Sequence, residues 1–363
     1  MIATSQRRPV FVVEDDSFLR VIKVVLDPAA PAALAAAFTH FCAHDLDFPA
    51  WRERVRSRVG RLYPAEVRLA RSQADLRASL SGAVGAVVEA LAVGADEIAA
   101  AGGALALVQK YGTITSRIEL SACDRAGVRV LTLRRRANVS AAEQALALML
   151  ALARKLPAVA NRVSVEQLED GGFEPTRFDR AHTPNGNWAR IGGLRTLYGR
   201  RLGIIGLGEI GREVAQRALA FGMEIAYTQR RRLAAAEEER YGAVHCSLAE
   251  LLETSDCVSL HLPRSAETRG FIGRAELRLI KPAALLVNVS QPAHVDREAL
   301  LEALSSGRLG GFAMDGFYEE PAGPDDPLLR LPNVIVTPRL GGSPRSNSLD
   351  DIEEILVNLS RAV

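Results

Sequence analysis

The sequence predicts an α/β protein built on parallel sheets. Short β-branched runs alternate with helix-length segments along most of its 363 residues, the pattern of successive βα units. A chain of this length is comfortable as two lobes and long for a single core. Hydrophobic residues at 48% and charged residues at 24% are ordinary values for a soluble folded chain.

In the first part, strands are expected at Val21–Leu26, Val84–Val88, Ala104–Gln109 and Val128–Leu131, with a helix at Pro31–Phe41. A long helix follows Asn138, where Ser140 with Glu143 three residues on reads as a capping box. Glu169–Gly193 is rich in Gly, Pro, Asn and Thr and reads as loop, with Trp188 near its end. A second series begins at Arg201, with strands at Leu202–Ile205, Glu224–Tyr227, Ala243–His245, Cys257–Leu260, Ala284–Val289, Leu309–Met314 and Val334–Val336. Ser247 with Glu250 opens one of its helices, and Ser346–Leu359 is an amphipathic helix suited to return to the first lobe.

Composition narrows the function classes. The formal net charge is +2, and lysine occurs only at Lys23, Lys110, Lys155 and Lys281. Acids balance the arginines along the chain, so neither a nucleic-acid nor a membrane partner is expected. Cys42, Cys123, Cys246 and Cys257 lie far apart, which indicates neither a disulfide framework nor a metal site. The opening residues lack a leader pattern, and Ala141–Ala153 carries Glu143 and Gln144, so a soluble, cytoplasmic protein is expected. Val10–Arg20, VFVVEDDSFLR, looks like the acidic opening of a receiver domain. No phospho-accepting Asp at a later strand end and no suitable Lys accompany it, so a solvated turn after a strand is the better reading.

Gly206-Leu207-Gly208-Glu209-Ile210-Gly211 follows an apolar strand and opens a helix running to Phe221, with Gly222 placed to cap it. That is the context a dinucleotide-binding glycine motif requires. The first glycine allows the tight turn, the second lets a pyrophosphate approach the backbone, and the third lets helix and strand pack closely. A Rossmann domain binding a nicotinamide dinucleotide is therefore expected over about Leu194–Val336. About 20 residues on, an NAD site places an acid on the ribose hydroxyls. Here the strand ends Tyr227-Thr228-Gln229-Arg230-Arg231-Arg232, with three guanidinium groups where a 2′-phosphate would sit, so NADP(H) is expected over NAD(H).

From about Leu62 onward the chain resembles the D-isomer-specific 2-hydroxyacid dehydrogenases, in particular the glyoxylate/hydroxypyruvate reductase and phosphoglycerate dehydrogenase branches. The matching segments are GRRLGIIGLGEIG (Gly199–Gly211), SDCVSLHLP (Ser255–Pro263), LLVNVS (Leu285–Ser290), VDREAL (Val295–Leu300) and LPNVIVTP (Leu331–Pro338). The resemblance implies two Rossmann-like doubly wound domains. A cofactor domain at 138–337 is inserted into a flavodoxin-like substrate domain at 1–137 and 338–363. It also implies a homodimer, with Trp188 near its interface, and cofactor contacts at Thr228, Gln229, Arg230, Arg231, Pro263, Val289 and Asp315.

Reduction of a 2-oxo acid needs a cation for the carboxylate and carbonyl, an acid for the new alkoxide, and a carboxylate to orient that acid. The family supplies Arg, His and Glu. By the resemblance, Glu320 before Pro321 matches the Glu, whereas Gln291 stands at the Arg position and Arg339 at the His position. A guanidinium stays charged at any working pH and cannot carry the proton. The family's glycine-rich carboxylate loop is also altered, to Tyr111-Gly112-Thr113-Ile114-Thr115-Ser116-Arg117, leaving Tyr111 and Gly112 as substrate-contact candidates. Two readings follow: an NADP(H)-dependent oxidoreductase acting on a small, anionic hydroxy or oxo substrate with a rebuilt site, or a catalytically silent dinucleotide-binding sensor or interaction protein. His294 is the remaining histidine nearest the site in sequence and reads as a loop or helix-start residue.

Overall fold

The computed structural model describes residues 8–184 and 186–361. The chain divides into two units, Met1–Asn138 with Gly342–Val363, and Val139–Gly341. The expectation about the opening residues falls on 1–7, outside the described residues.

The first unit holds a parallel sheet of β1 (Val10–Glu14), β2 (Glu66–Ala70), β3 (Gly85–Val88), β4 (Leu107–Lys110) and β5 (Arg129–Leu131). Its order is β2-β1-β3-β4-β5, the flavodoxin-like arrangement. Successive residues of β1 face opposite sides of the sheet. Phe11 and Val13 join one buried cluster, and Val12 joins another with Ala86, Val88 and Val108. Helix Arg345–Leu359 buries Leu349, Ile352, Ile355 and Leu356 in the first of these clusters.

The second unit holds seven parallel strands: β6 (Arg201–Ile205), β7 (Glu224–Thr228), β8 (Ala243–His245), β9 (Cys257–Leu260), β10 (Leu285–Asn288), β11 (Gly311–Asp315) and β12 (Val334–Thr337). The order is β12-β11-β10-β9-β6-β7-β8, so the winding reverses on either side of β6. Leu202, Ile204 and Val287 pack on one face, Ile205, Val258 and Leu286 on the other. Both sheets are thus parallel, as the alternation of elements predicts, and doubly wound, as the resemblance implies. Among the described residues no helix is long and apolar enough to cross a membrane.

Three elements differ from expectation. Val21–Leu26 is helix, not strand, within Arg20–Leu26. The Asp16 carboxylate accepts the N–H groups of Phe18 and Leu19 and fixes a turn at its start. Val21, Ile22, Val24, Val25 and Leu26 are all buried, and that burial outweighs a helix-propensity penalty of a few tenths of a kcal/mol per β-branched residue. β2 is an unexpected strand. It lies at the sheet edge, where Glu66 and Arg68 pair with each other, so it lacks an apolar run. The long helix begins at Arg136, which places Ser140 inside it rather than at a cap. Its start is set by Asp351, fully buried, whose two oxygens accept the Arg136 N–H at 3.0 and 3.1 Å and one of which accepts the Arg136 guanidinium at 2.8 Å.

The acidic run after β1 is committed to structure. Glu14 accepts the successive N–H groups of Glu89, Ala90 and Leu91 at 2.6, 2.8 and 3.0 Å. Asp15 pairs with Arg20 and Arg71, and both arginines hold its pKa below the usual carboxylate range. A glutamine at position 14 keeps an acceptor but loses the charge that strengthens all three bonds. Glu14→Gln should lower unfolding stability by about 1–2 kcal/mol, measured by urea denaturation. Unchanged stability would remove Glu14 from this role.

Candidate dinucleotide and catalytic sites

Gly206 leaves the carboxyl end of β6 with φ +95°, and a side chain there would place Cβ 2.6 Å from the His261 carbonyl oxygen. A Cβ on Gly211 would stand 2.3 Å from the Gly206 carbonyl oxygen. Both obstacles are backbone atoms and cannot swing aside. Around Gly208 the reverse holds, with no atom within 4 Å of a built Cβ. The turn is therefore closed toward the sheet and open above its middle glycine, the shape a pyrophosphate needs. Helix Glu209–Ala220 starts directly at this opening and presents its free N–H groups and positive dipole end there. Leu207 is buried beneath the turn, and its N–H donates to Gln229 Oε1 at 3.1 Å. Ile210 is partly buried against the same core. The whole feature lies where β6 separates β7 from β9, the switch point at which open α/β sheets bind ligands.

Thr228 ends β7, and its carbonyl accepts the Gly206 N–H at 3.0 Å. Gln229 Nε2 donates to the Arg231 carbonyl at 2.7 Å, tying the arginine loop to the glycine turn. Arg230 and Arg231 are exposed and make no ion pair among the described residues, although the charge of Arg230 reaches Glu267. Arg232 is different. It donates twice to Glu238, at 2.9 Å each, and Tyr227 Oη donates to the same carboxylate at 2.7 Å. The Arg232 hydrogen bond, aided by Tyr227, pulls the Glu238 pKa down to about 2. Of the three expected guanidiniums, Arg232 is thus already paired, because Glu238, six residues on in helix Ala235–Arg240, supplies it with an acid.

The remaining strand ends bring the other candidates to the same edge of this sheet. Pro263 follows β9, and its carbonyl accepts the Thr268 hydroxyl at 2.8 Å. Val289 follows β10 and is partly buried. Asn288 shapes the next residues by accepting from Ser290 N–H and donating to the Gln291 carbonyl at 2.8 Å. Asp315 ends β11, and its carboxylate accepts the Thr337 hydroxyl and the N–H groups of Leu340 and Gly341 at 2.6–2.7 Å. It thereby anchors the turn that carries Arg339. Arg339 has φ +58° and donates through Nε to Glu320, whose other oxygen accepts the Phe317 N–H at 3.0 Å. Glu320 and the side chain at 339 are therefore partners. His294 is buried, lies 2.9 Å from Ser290 Oγ, and has its pKa lowered by burial. Burial also lowers His261 to about 3, so both rings are neutral near pH 7.

In the first unit, Tyr111 follows β4 with its ring buried, and Gly112 takes φ +141° while its carbonyl accepts the Leu133 N–H at 2.9 Å. Burial pushes the Tyr111 hydroxyl up to about 12. The Arg135 guanidinium covers this ring and also donates to Glu89, whose pKa burial raises against the pull of Arg135. Sequence reasoning missed Arg135 and Glu89. Within Arg134-Arg135-Arg136 the residue looks like part of a solvated charge run, and only the folded chain brings Tyr111 beneath it.

Residues 146–341 match the family model described as D-isomer specific 2-hydroxyacid dehydrogenase, NAD binding domain. Glyoxylate/hydroxypyruvate reductase B of Pectobacterium carotovorum is 39% identical over 210 residues, covering 58% of this chain and 60% of that protein. Glyoxylate reductase of Thermococcus litoralis is 35% identical over 242 residues, covering 66% of this chain and 68% of that protein. A Thermus thermophilus protein of known crystal structure is 31% identical with a TM-score of 0.53, over 85% of this chain and 93% of that one. The chain spans between half and 60% of the length of the first curated relatives it matches.

Gly211→Ala should disrupt this turn, since the new methyl meets the Gly206 carbonyl. Overpacking of this kind costs about 1–3 kcal/mol. The variant should bind dinucleotide at least tenfold more weakly in calorimetric titration, and wild-type affinity would show that the close approach does not shape the site.

Proposed function

The chain belongs to the D-isomer-specific 2-hydroxyacid dehydrogenase family, and from that premise we propose that it is an NADP(H)-dependent oxidoreductase acting on a small anionic hydroxy or oxo compound through a rebuilt catalytic site. The observation that carries the reading is the pairing of an open glycine turn with Arg230 and Arg231 at the end of β7, where no acid stands to receive ribose hydroxyls. Gly206, Gly208 and Gly211 hold the pyrophosphate against the helix start at Glu209, and the two arginines take the 2′-phosphate. When bound, the reduced nicotinamide supplies a hydride.

The protein's own residues then face an unusual division of labour. Glu320 holds Arg339, and that guanidinium is a permanent cation suited to an anionic group of the substrate rather than to proton transfer. Gln291 offers a hydrogen bond without charge. The two family positions that deliver charge stabilisation and a proton are thus both substituted, and the orienting carboxylate now positions a cation.

NADP(H) should bind about tenfold to a hundredfold more tightly than NAD(H), since one charge-assisted hydrogen bond contributes about 1.5–3 kcal/mol. Arg230→Ala with Arg231→Ala should bring the ratio near one. Arg232→Ala should leave it within about threefold, because Glu238 already occupies that side chain. Calorimetry with both cofactors reads this, and equal or tighter NADH binding would overturn the preference.

Turnover of glyoxylate, hydroxypyruvate or pyruvate should be slow. A missing proton donor costs about 10²- to 10⁴-fold, and a missing oxyanion-stabilising group costs on the order of 10² to 10³. The two need not multiply, because residues acting as a unit are not additive. NADPH oxidation with these acids at about 1–10³ s⁻¹, the ordinary enzyme range, would contradict the reading.

A further inference from the structure

The amino edge of the second sheet holds a cleft of about 270 Å³ that the dinucleotide reading does not use. Cys257 and Leu285, the first residues of β9 and β10, lie side by side in its lining, and Arg200 immediately precedes β6. The strands are parallel, so this cleft stands at their opposite end from the glycine turn. Three cationic side chains line it, Arg195, Arg200 and Lys281, against one acid among its described lining residues, Asp256. Lys281 Nζ lies 2.7 Å and Arg200 Nη1 3.7 Å from the same Asp256 oxygen, and the other oxygen accepts the Arg201 N–H at 3.0 Å. Asp256 is thus fully committed, and two positive charges stay unbalanced. The charges of Arg195 and Arg200 both reach the Cys257 thiol, which burial pushes up to about 12, so the thiol adds no negative charge.

The backbone fixes Arg195 at the cleft. Its N–H donates to the Ala153 carbonyl, at the end of helix Arg136–Ala153, and its Nη1 donates to the Ala283 carbonyl at 2.6 Å. Ala283 takes φ +64°, a left-handed conformation that disfavours a side chain. Gly310 lets the loop close there, since a Cβ at 310 would collide with the Ala283 carbonyl and press on Arg195 Nη2. A carbonyl partner orients the guanidinium without neutralising it.

Two unbalanced charges spread over three donors select one anion chemistry. A phosphate monoester carries about −1.5 to −2 charge near pH 7 on three acceptor oxygens, whereas a carboxylate carries a single charge on two. Leu197, Pro282 and Leu285 give the cleft an apolar side for a short carbon skeleton. Its volume is below the ~300–1,000 Å³ of pockets for drug-sized molecules, too small for a whole dinucleotide.

We propose that Arg195, Arg200 and Lys281 form a second anion site in this unit, binding the phosphate group of a small phosphate monoester at the sheet edge opposite the dinucleotide. The site goes beyond the proposed function and stands independently of the cofactor preference.

The test titrates the full-length protein calorimetrically with glycerol 3-phosphate, inorganic phosphate and glycerol. Glycerol 3-phosphate should bind, inorganic phosphate should bind more weakly because it leaves the apolar side unfilled, and glycerol should not bind. Arg195→Gln, which can still donate to the Ala283 carbonyl, and Arg200→Gln should each weaken glycerol 3-phosphate binding about tenfold or more, the loss expected with a charge-assisted hydrogen bond. Asp256→Asn removes the opposing charge and should tighten binding. Arg230→Ala with Arg231→Ala, at the carboxyl edge, should leave it unchanged. Thermal denaturation reports that each variant folds, and the Arg200 side chain, 51% exposed, can be replaced without disturbing the core. If wild type binds neither phosphate compound, or if Arg195→Gln and Arg200→Gln both bind as wild type does, the site is wrong. If the Arg230 and Arg231 double variant loses binding, the ligand occupies the dinucleotide site and the proposal falls. Inorganic phosphate binding as tightly as glycerol 3-phosphate, or more tightly, would overturn the monoester assignment.

Discussion

The approach of two backbone segments at the end of β6 governs the second unit. Helix Glu209–Ala220 can lie against β6 only because residue 211 has no side chain, and the turn can tuck under β9 only because residue 206 has none. A methyl group at either place would meet a carbonyl oxygen, and no rotamer change relieves such a clash. With helix and strand locked together, the helix start opens at the switch point of the sheet. The ends of β7, β9, β10, β11 and β12 then face the same side, since all seven strands run parallel. Candidate residues scattered from Gly206 to Arg339 are gathered by that geometry alone.

The partners that the arginines find decide much of the rest. Of three consecutive guanidiniums after β7, Glu238 claims one and two stay available. In the Arg134–Arg136 run, Arg136 closes the start of a long helix through Asp351, while Arg135 covers Tyr111 and keeps one buried donor unused. Neighbours in a charge run thus have separate fates, set by which acid or ring the fold brings within reach. Arg339, paired with Glu320, shows a third fate: a cation held where a proton carrier is expected from the family pattern.

Features written in short, local stretches were legible before folding. The glycine turn, its flanking strand and helix, the Ser247 cap and the strands of the second series are set by residues a few positions apart, and all are present in the structure. Features that depend on distant partners were not. Nothing near Arg136 announces that Asp351, 215 positions later, supplies the helix cap. Nothing near Val10 shows that Glu14 closes the loop after β3. Val21–Leu26 misleads because its β-branched residues are buried all round, and a short buried helix and a buried strand look alike in composition. Among the candidate site residues, Glu320 and Arg339 are brought into contact, while the Arg135–Tyr111 stack required the fold to be found.

On the proposed function, this family member keeps its dinucleotide site, and among the described residues no imidazole is positioned to move the proton. Burial lowers the pKa values of His261 and His294, and Arg339 does not titrate. The most direct measurement is the rate of NADPH oxidation by excess glyoxylate in single turnover from about pH 5.5 to 9, a range that brackets histidine titration, for wild type and His294→Gln. The account predicts a slow reaction whose pH profile is the same in both proteins. An inflection in wild type that vanishes in His294→Gln would contradict it, by identifying His294 as the proton carrier.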